Sequence, residues 1–224
     1  MSGAPESGPP EWEVAFAPAS AEETQALGAA LGGVLGAGDL VVLTGELGAG
    51  KTTFTQGLGE GLGVRPGIIS PTFVLVRIHP NLIHGPRPGG PDLVHVDAYR
   101  LSGHGEVTDL DLENWADSAV TVVEWGRGLV EDLSDSRLDI ELRRPHAAPS
   151  AAGATGGAPT LDFDTEDDDE PRLIVIRAYG PRWAQHPNVQ WPAVERVDPA
   201  ALDAAASEGA AADTAETGTT EEGR

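Results

Sequence analysis

The chain has 224 residues, room for one ordinary α/β domain with appendages. Hydrophobic residues make up 40% but aromatics only 5%, and 29 Gly with 18 Pro impose many loops on whatever core forms. The absence of cysteine excludes a disulfide framework and thiolate metal sites, and a formal charge of −22 without any basic patch excludes a surface that grips nucleic acid through its phosphates.

The acidity is unevenly spread. Residues 1–13 carry −3, residues 147–171 carry −7 and residues 198–224 carry −6, which leaves −6 for everything else. Residues 1–13 are therefore expected to be a flexible leader and residues 198–224 a disordered acidic tail, with one domain spanning residues 14–197 between them. The first ten residues lack both basic residues and an apolar run, and no stretch approaches the roughly 18 apolar residues of a membrane span. The expectation is a cytoplasmic protein with no membrane partner.

In chain order, residues 14–16 read as a short first strand. Ser20 stands three residues ahead of Glu23 in capping-box form, and Leu27, Leu31, Val34 and Leu35 supply the apolar stripe of a helix that Gly36 and Gly38 would end. Residues 40–43 are a β-branched apolar run, as in a buried parallel strand, and residues 51–62 form the next helix. Five further strand-like runs follow at 73–78, 93–96, 120–123, 138–142 and 173–178, with helical candidates at 110–115 and 129–133. This alternation predicts a three-layer α/β fold of the P-loop NTPase-like kind, with a mixed, mostly parallel sheet and flanking helices. Two loop insertions interrupt it, at 79–92 and 147–171, the second ending in the acidic run 166–170. Trp183 and Trp191 flank a Pro-containing exit segment and are expected to pack on the sheet.

Between the strand at 40–43 and the helix at 51–62 lies Gly45-Glu46-Leu47-Gly48-Ala49-Gly50-Lys51-Thr52, followed by Thr53. The spacing is Gly, four residues, then Gly-Lys-Thr. Such glycines let successive backbone N–H groups converge on an anion, and the following helix adds its N-terminal dipole. Lys51 would reach the β- and γ-phosphates of a nucleotide, and the Thr52 hydroxyl would coordinate Mg²⁺. Basic residues number 13 Arg and one Lys, so the position that keeps its ammonium is this one.

Metal-assisted phosphoryl chemistry also needs carboxylates at the carboxyl ends of neighbouring strands. Two runs end in acid: 93–97 in Asp97 and 120–124 in Glu124. His95, two residues before Asp97, is the one histidine expected near phosphate. The Asn-Lys-x-Asp signature that reads guanine cannot exist with one lysine, so ATP is the expected nucleotide. A small-molecule kinase would use the same loop, but the arginine-bearing lid and second substrate pocket it needs are not visible. An adaptor that binds nucleotide without cleaving it is the other alternative.

Gly45 to Thr53, Ser70-Pro71-Thr72-Phe73, His95-Val96-Asp97-Ala98-Tyr99-Arg100-Leu101 and Val123-Glu124-Trp125-Gly126, read in order, make the chain similar to the TsaE (YjeE) family. The resemblance runs from Val14 to about His146 and resumes near residues 172–180. It implies a P-loop ATPase that binds ATP and Mg²⁺. Such proteins work with TsaB and TsaD to form the N6-threonylcarbamoyl group on adenosine 37 of tRNAs reading codons that begin with A, with tRNA held through the complex. By resemblance, Lys51 is the phosphate lysine and Thr52 the metal hydroxyl, while Glu124 binds Mg²⁺ and supports hydrolysis. Asp97 is the second acid, residues 70–73 form a switch-like loop, and Trp125, Gly126 and Arg127 fall beside the nucleotide. Residues 20–24 match a segment that approaches the base. No residue is an obvious arginine finger; Arg100 is the nearest candidate by sequence, and it equally suits a contact with TsaD.

Overall fold

The computed structural model describes residues 8–101, 103–108, 110–115, 118–144 and 172–198. The expected insertion at 147–171, residues 1–7 of the expected leader and the tail from 199 lie outside them. Eight strands form one sheet in the order β3-β4-β5-β2-β6-β7-β1-β8: β1 (Trp12–Phe16), β2 (Leu40–Thr44), β3 (Val76–His79), β4 (Asp92–Asp97), β5 (Ala119–Glu124), β6 (Arg137–Arg143), β7 (Leu173–Tyr179) and β8 (Arg196–Val197). The expectation of a mostly parallel sheet holds only at its centre. β4, β5, β2 and β6 pair in parallel, whereas the other four of the seven pairings are antiparallel.

The central strands are apolar on both faces because both faces are covered. Val41 and Leu43 of β2 join the cluster that holds Leu27, Leu31, Phe54 and Leu58, while Leu40 and Val42 join the opposite cluster with Val94, Val96 and Val123. Helices α1 (Ala21–Gly32) and α2 (Lys51–Leu62) cover the first face, and they run side by side in the same direction. Among the described residues the second face carries the five-residue α3 (His104–Thr108) and single 3₁₀ turns at Leu112–Trp115 and Glu131–Leu133, which fall within the helical candidates at 110–115 and 129–133.

α1 begins as predicted, with Ser20 accepting a hydrogen bond from the Glu23 N–H at 3.2 Å. It ends four residues before Gly36, because the consecutive Gly32 and Gly33 weaken the last turn; Leu35 stays fully buried outside the helix. What joins α1 to α2 is backbone on backbone. A Cβ at Gly57 would overlap the Gln25 carbonyl oxygen and one at Gly28 would overlap that of Phe54, and Gly32 with Gly61 repeat the contact one turn on. That close approach fixes α2, and with it the loop that feeds it.

Three further boundaries differ from the sequence reading. β1 starts at Trp12, inside the expected leader, since Trp12 packs edge-on against buried Trp183 at 6.2 Å and the Glu11 N–H bonds Ala178 O. Strand pairing at β3 begins at Val76 rather than at residue 73, because the Val74 and Leu75 N–H groups turn back onto Pro71 O and Leu75 has φ +65°. β8, two residues pairing with β1, has no apolar signal and was not predicted. The loop joining β3 to β4 is tied down: Asn81 donates to Leu62 O at 2.8 Å and its N–H to Asp92 Oδ1 at 2.8 Å. Trp183 is fully buried, and Trp191 stacks 4.8 Å from Phe16, as expected of packing residues.

Candidate functional site: an anion cradle at the strand ends

Parallel pairing brings the chemistry together. Leu43, the penultimate residue of β2, is level with Glu124 of β5, and Glu124 is level with Asp97 of β4. Both acids are 3% exposed and stand beside the loop that leaves β2. That loop, Gly45 to Gly50, turns into α2 through Gly50, whose φ of +98° only glycine adopts without strain. A cavity of about 270 Å³ opens above it, with Lys51, Thr52, Asp97, Glu124 and Trp125 in its wall.

Lys51 is 5% exposed. Its Nζ donates to Gly45 O at 2.9 Å and Glu46 O at 2.8 Å, and it lies 4.1 Å above the centre of the Trp125 ring. Burial lowers the Lys51 pKa, and the negative charges of Glu124 and Asp97 oppose that shift. The ammonium is thus held by carbonyl oxygens that any stronger oxygen ligand can replace. Thr52 Oγ1 donates to Glu124 Oε1 at 3.1 Å, and His95 Nε2 lies 2.9 Å from the same oxygen. His95, expected near phosphate, is fully buried outside the cavity wall and reaches the site through Glu124.

Asp97 is oriented by the other side of the sheet edge. Its Oδ2 accepts from Thr72 Oγ1 at 2.7 Å and from Ser70 Oγ at 3.3 Å, and its Oδ1 accepts from the Tyr99 N–H at 3.0 Å. The turn that delays β3 is what carries Ser70 and Thr72 to this carboxylate, leaving Phe73 outside at 87% exposure. Trp125 has φ +63°, unusual for a bulky residue, and is held there by its N–H to Leu43 O at 3.0 Å and by Tyr99 against its edge at 5.3 Å.

Of the remaining loop residues, Leu47, Gly48, Gly50 and Thr53 line the cavity; Ala49 points into the core, and Gly45 and Glu46 contribute the carbonyls that hold Lys51. Ala21 and Thr24 bring the start of α1 to the cavity. Arg127 does not belong to the wall: its half-exposed side chain turns toward Glu141, 3.9 Å away. Arg100 lies outside as well, 5.5 Å from the Phe73 ring. Two residues of the wall, Arg144 and Arg172, escaped the sequence reading altogether.

A glycine-rich strand-to-helix loop with a lysine and a hydroxyl, set against two level carboxylates at the end of a parallel sheet, is the architecture of a P-loop NTPase-like protein. The family described as "Threonylcarbamoyl adenosine biosynthesis protein TsaE" matches residues 18–150. The chain belongs to the TsaE family. It is 50% identical over 159 residues to the tRNA threonylcarbamoyladenosine biosynthesis protein TsaE of Streptomyces coelicolor, covering 70% of this chain and 92% of that one. With the protein of the same name from Bacillus subtilis it shares 37% over 123 residues, which is 55% of this chain and 73% of the other. Among solved structures, Bacillus subtilis YdiB superimposes with a TM-score of 0.53 at 28% identity, over 77% of this chain and 89% of that chain.

Proposed function

We propose that this chain is an ATPase of tRNA threonylcarbamoyladenosine formation. It binds ATP with Mg²⁺ and acts in the cytoplasm with TsaB and TsaD to support turnover of the TsaD transferase on adenosine 37. One observation carries the reading: Glu124 and Asp97 stand level on adjacent strands beside Lys51 and Thr52, with Thr52 Oγ1 already bonded to Glu124. Among the described residues no helix is long and apolar enough to cross a membrane.

The donor set suits a hard divalent cation and a polyphosphate. Two carboxylates and a hydroxyl are the oxygen ligands Mg²⁺ prefers, and an ammonium among converging amides is a phosphate site. Bound there, Mg²⁺ would neutralise charge on the phosphoryl oxygens. In this reading Lys51 exchanges the Gly45 and Glu46 carbonyls for phosphate oxygens. Thr52, Glu124 and Asp97 hold the metal and orient the attacking water, and His95 keeps Glu124 in place from below. Trp125, seated against Lys51, shields that ammonium from water. The sequence offers no run of basic residues to grip tRNA phosphates, which supports a reading in which the partners hold the tRNA.

Phosphate release by the purified chain with Mg²⁺-ATP, measured with and without TsaB and TsaD, tests this. Turnover that rises with the partners, together with ATP-dependent tRNA modification, is expected. A chain that takes up no adenine nucleotide under either condition overturns the reading.

A further inference from the structure

The positive charge that the sequence did not reveal enters from the antiparallel edge of the site. β6 pairs with β2 in parallel through Thr44 and Glu141, so β6 continues past the point where β2 becomes the glycine-rich loop. β6 also pairs with β7 in antiparallel register, Arg143 opposite Leu173. One residue further along, that register sets Arg144 opposite Arg172, directly above the loop. The side chains follow. Arg144 Nη2 would lie 2.7 Å from a Cβ placed on Gly48, and Arg172 Cδ and Nε would each lie 3.5 Å from one on Gly50. Arg172 is 7% exposed, and its backbone N–H donates to Pro18 O at 2.8 Å, which ties it to the segment leading into α1.

Arg144 and Arg172, each one residue beyond the last paired residue of its strand, line the wall of a cavity that already contains the Lys51 ammonium and, on its far side, the Asp97 and Glu124 carboxylates. An arrangement that gathers three cations around a ring of converging amides is complementary to an anion of several charges, and a guanidinium binds phosphate oxygens through two parallel N–H donors. Arg100 and Arg127, the two arginines the sequence placed near the nucleotide, stand outside the cavity wall.

We propose that Arg144 and Arg172 are polyphosphate-binding residues supplied by the chain itself, closing the cradle over Gly48 and Gly50. This rests on the nucleotide reading given above. The closer approach is at Gly48, where a side chain would displace the Arg144 guanidinium; at Gly50 it is the φ of +98°, not contact with Arg172, that requires glycine.

The test is equilibrium binding of ATP, ADP and adenosine, each with Mg²⁺, to the full chain and to Arg144→Gln, Arg172→Gln and Arg100→Gln variants, with thermal melting as the check on folding. Loss of one charge-assisted phosphate contact is expected to weaken ATP binding by about tenfold in each of the first two variants. Adenosine binding should stay within about twofold of the parent and the Arg100 variant should be unchanged. The salt dependence of ATP binding should also flatten, because fewer cations face the phosphates. Arg172→Lys keeps a charge at the buried position and should recover part of the loss, which separates charge from packing. Parent-like ATP affinity in both glutamine variants, or equal loss for adenosine and ATP, overturns the inference while the nucleotide reading stands. A parent chain that binds no adenine nucleotide overturns both.

Discussion

The two halves of the sheet solve the burial problem in opposite ways. In the parallel half, β4, β5 and β2 are apolar on both faces and covered on both, and the buried charged or imidazole side chains they carry, His95, Asp97 and Glu124, gather at the site. In the antiparallel half, one face of β6, β7 and β1 is a lattice of opposite charges: Arg137 with Asp139, Arg143 with Glu141, and Arg177 with both Glu141 and Glu13. A polar group in the first half has one arrangement of partners and little solvent. In the second half, partners are shared and water is near. Function is therefore expected to break sharply in the first half and to yield gradually in the second.

Replacement of Lys51 by Ala is the severest test, since it removes the cavity's buried ammonium and leaves its carbonyl partners without a donor. ATP affinity should fall by at least about a hundredfold, and turnover with TsaB and TsaD should vanish, in the same calorimetric and phosphate-release assays. Measurable turnover in that variant would place the chemistry elsewhere.

Glu124→Gln keeps the shape and keeps an oxygen for Thr52, but it loses the charge. Catalysis by a positioned acid or base is worth about 10²–10⁴ in rate, so kcat should drop by about a hundredfold or more while ATP affinity changes by less than about tenfold. Equal losses in both would make Glu124 a binding residue only.

Next in size is Gly57→Ala, away from the cavity. Its Cβ would meet the Gln25 carbonyl, a backbone atom that cannot swing aside, so α1 and α2 must separate. Overpacking of this kind costs about 1–3 kcal/mol, to be read from denaturant unfolding. Because α2 is rooted in the loop, nucleotide affinity should fall with it. Unchanged stability would show that the glycine contact does not hold the helix.

These cases also show what the sequence could disclose. α2 is read to its boundaries because it starts at the Gly-Lys-Thr of the loop, a local signal, and Asp97 and Glu124 are found because an apolar run ending in an acid is local too. Residues 73–75 are misread as strand because Phe73, Val74 and Leu75 are apolar, yet Leu75 goes left-handed and the turn lets Ser70 and Thr72 reach Asp97 across 27 and 25 residues. Arg144 and Arg172 are separated in sequence by the acidic stretch, and only the β6–β7 register joins them. Arg127 follows the tryptophan in sequence but leaves the site in space for Glu141. Features defined by neighbours along the chain are legible; features defined by pairing partners are not.

The mildest change should be Glu141→Gln in the charge lattice. Burial alone would raise the Glu141 pKa, but hydrogen bonds from Arg143 and Arg177 and the charges of Arg143 and Arg127 outweigh it and hold the carboxyl below its ordinary value of 4.5. A carboxyl lowered in the folded state contributes stability that is present above its unfolded pKa and is lost as pH falls through the folded one. At pH 7 the variant should therefore be less stable than the parent, by under about 1 kcal/mol since the pair is partly solvated and Arg177 retains Glu13. As pH falls below the ordinary carboxylate value the gap should narrow, because the parent's own Glu141 begins to take up its proton. Denaturant unfolding of both proteins at pH 7 and pH 3.5 decides this. A gap that widens on acidification would mean that packing rather than charge makes Glu141 matter, and the antiparallel half would then be as unforgiving as the parallel one.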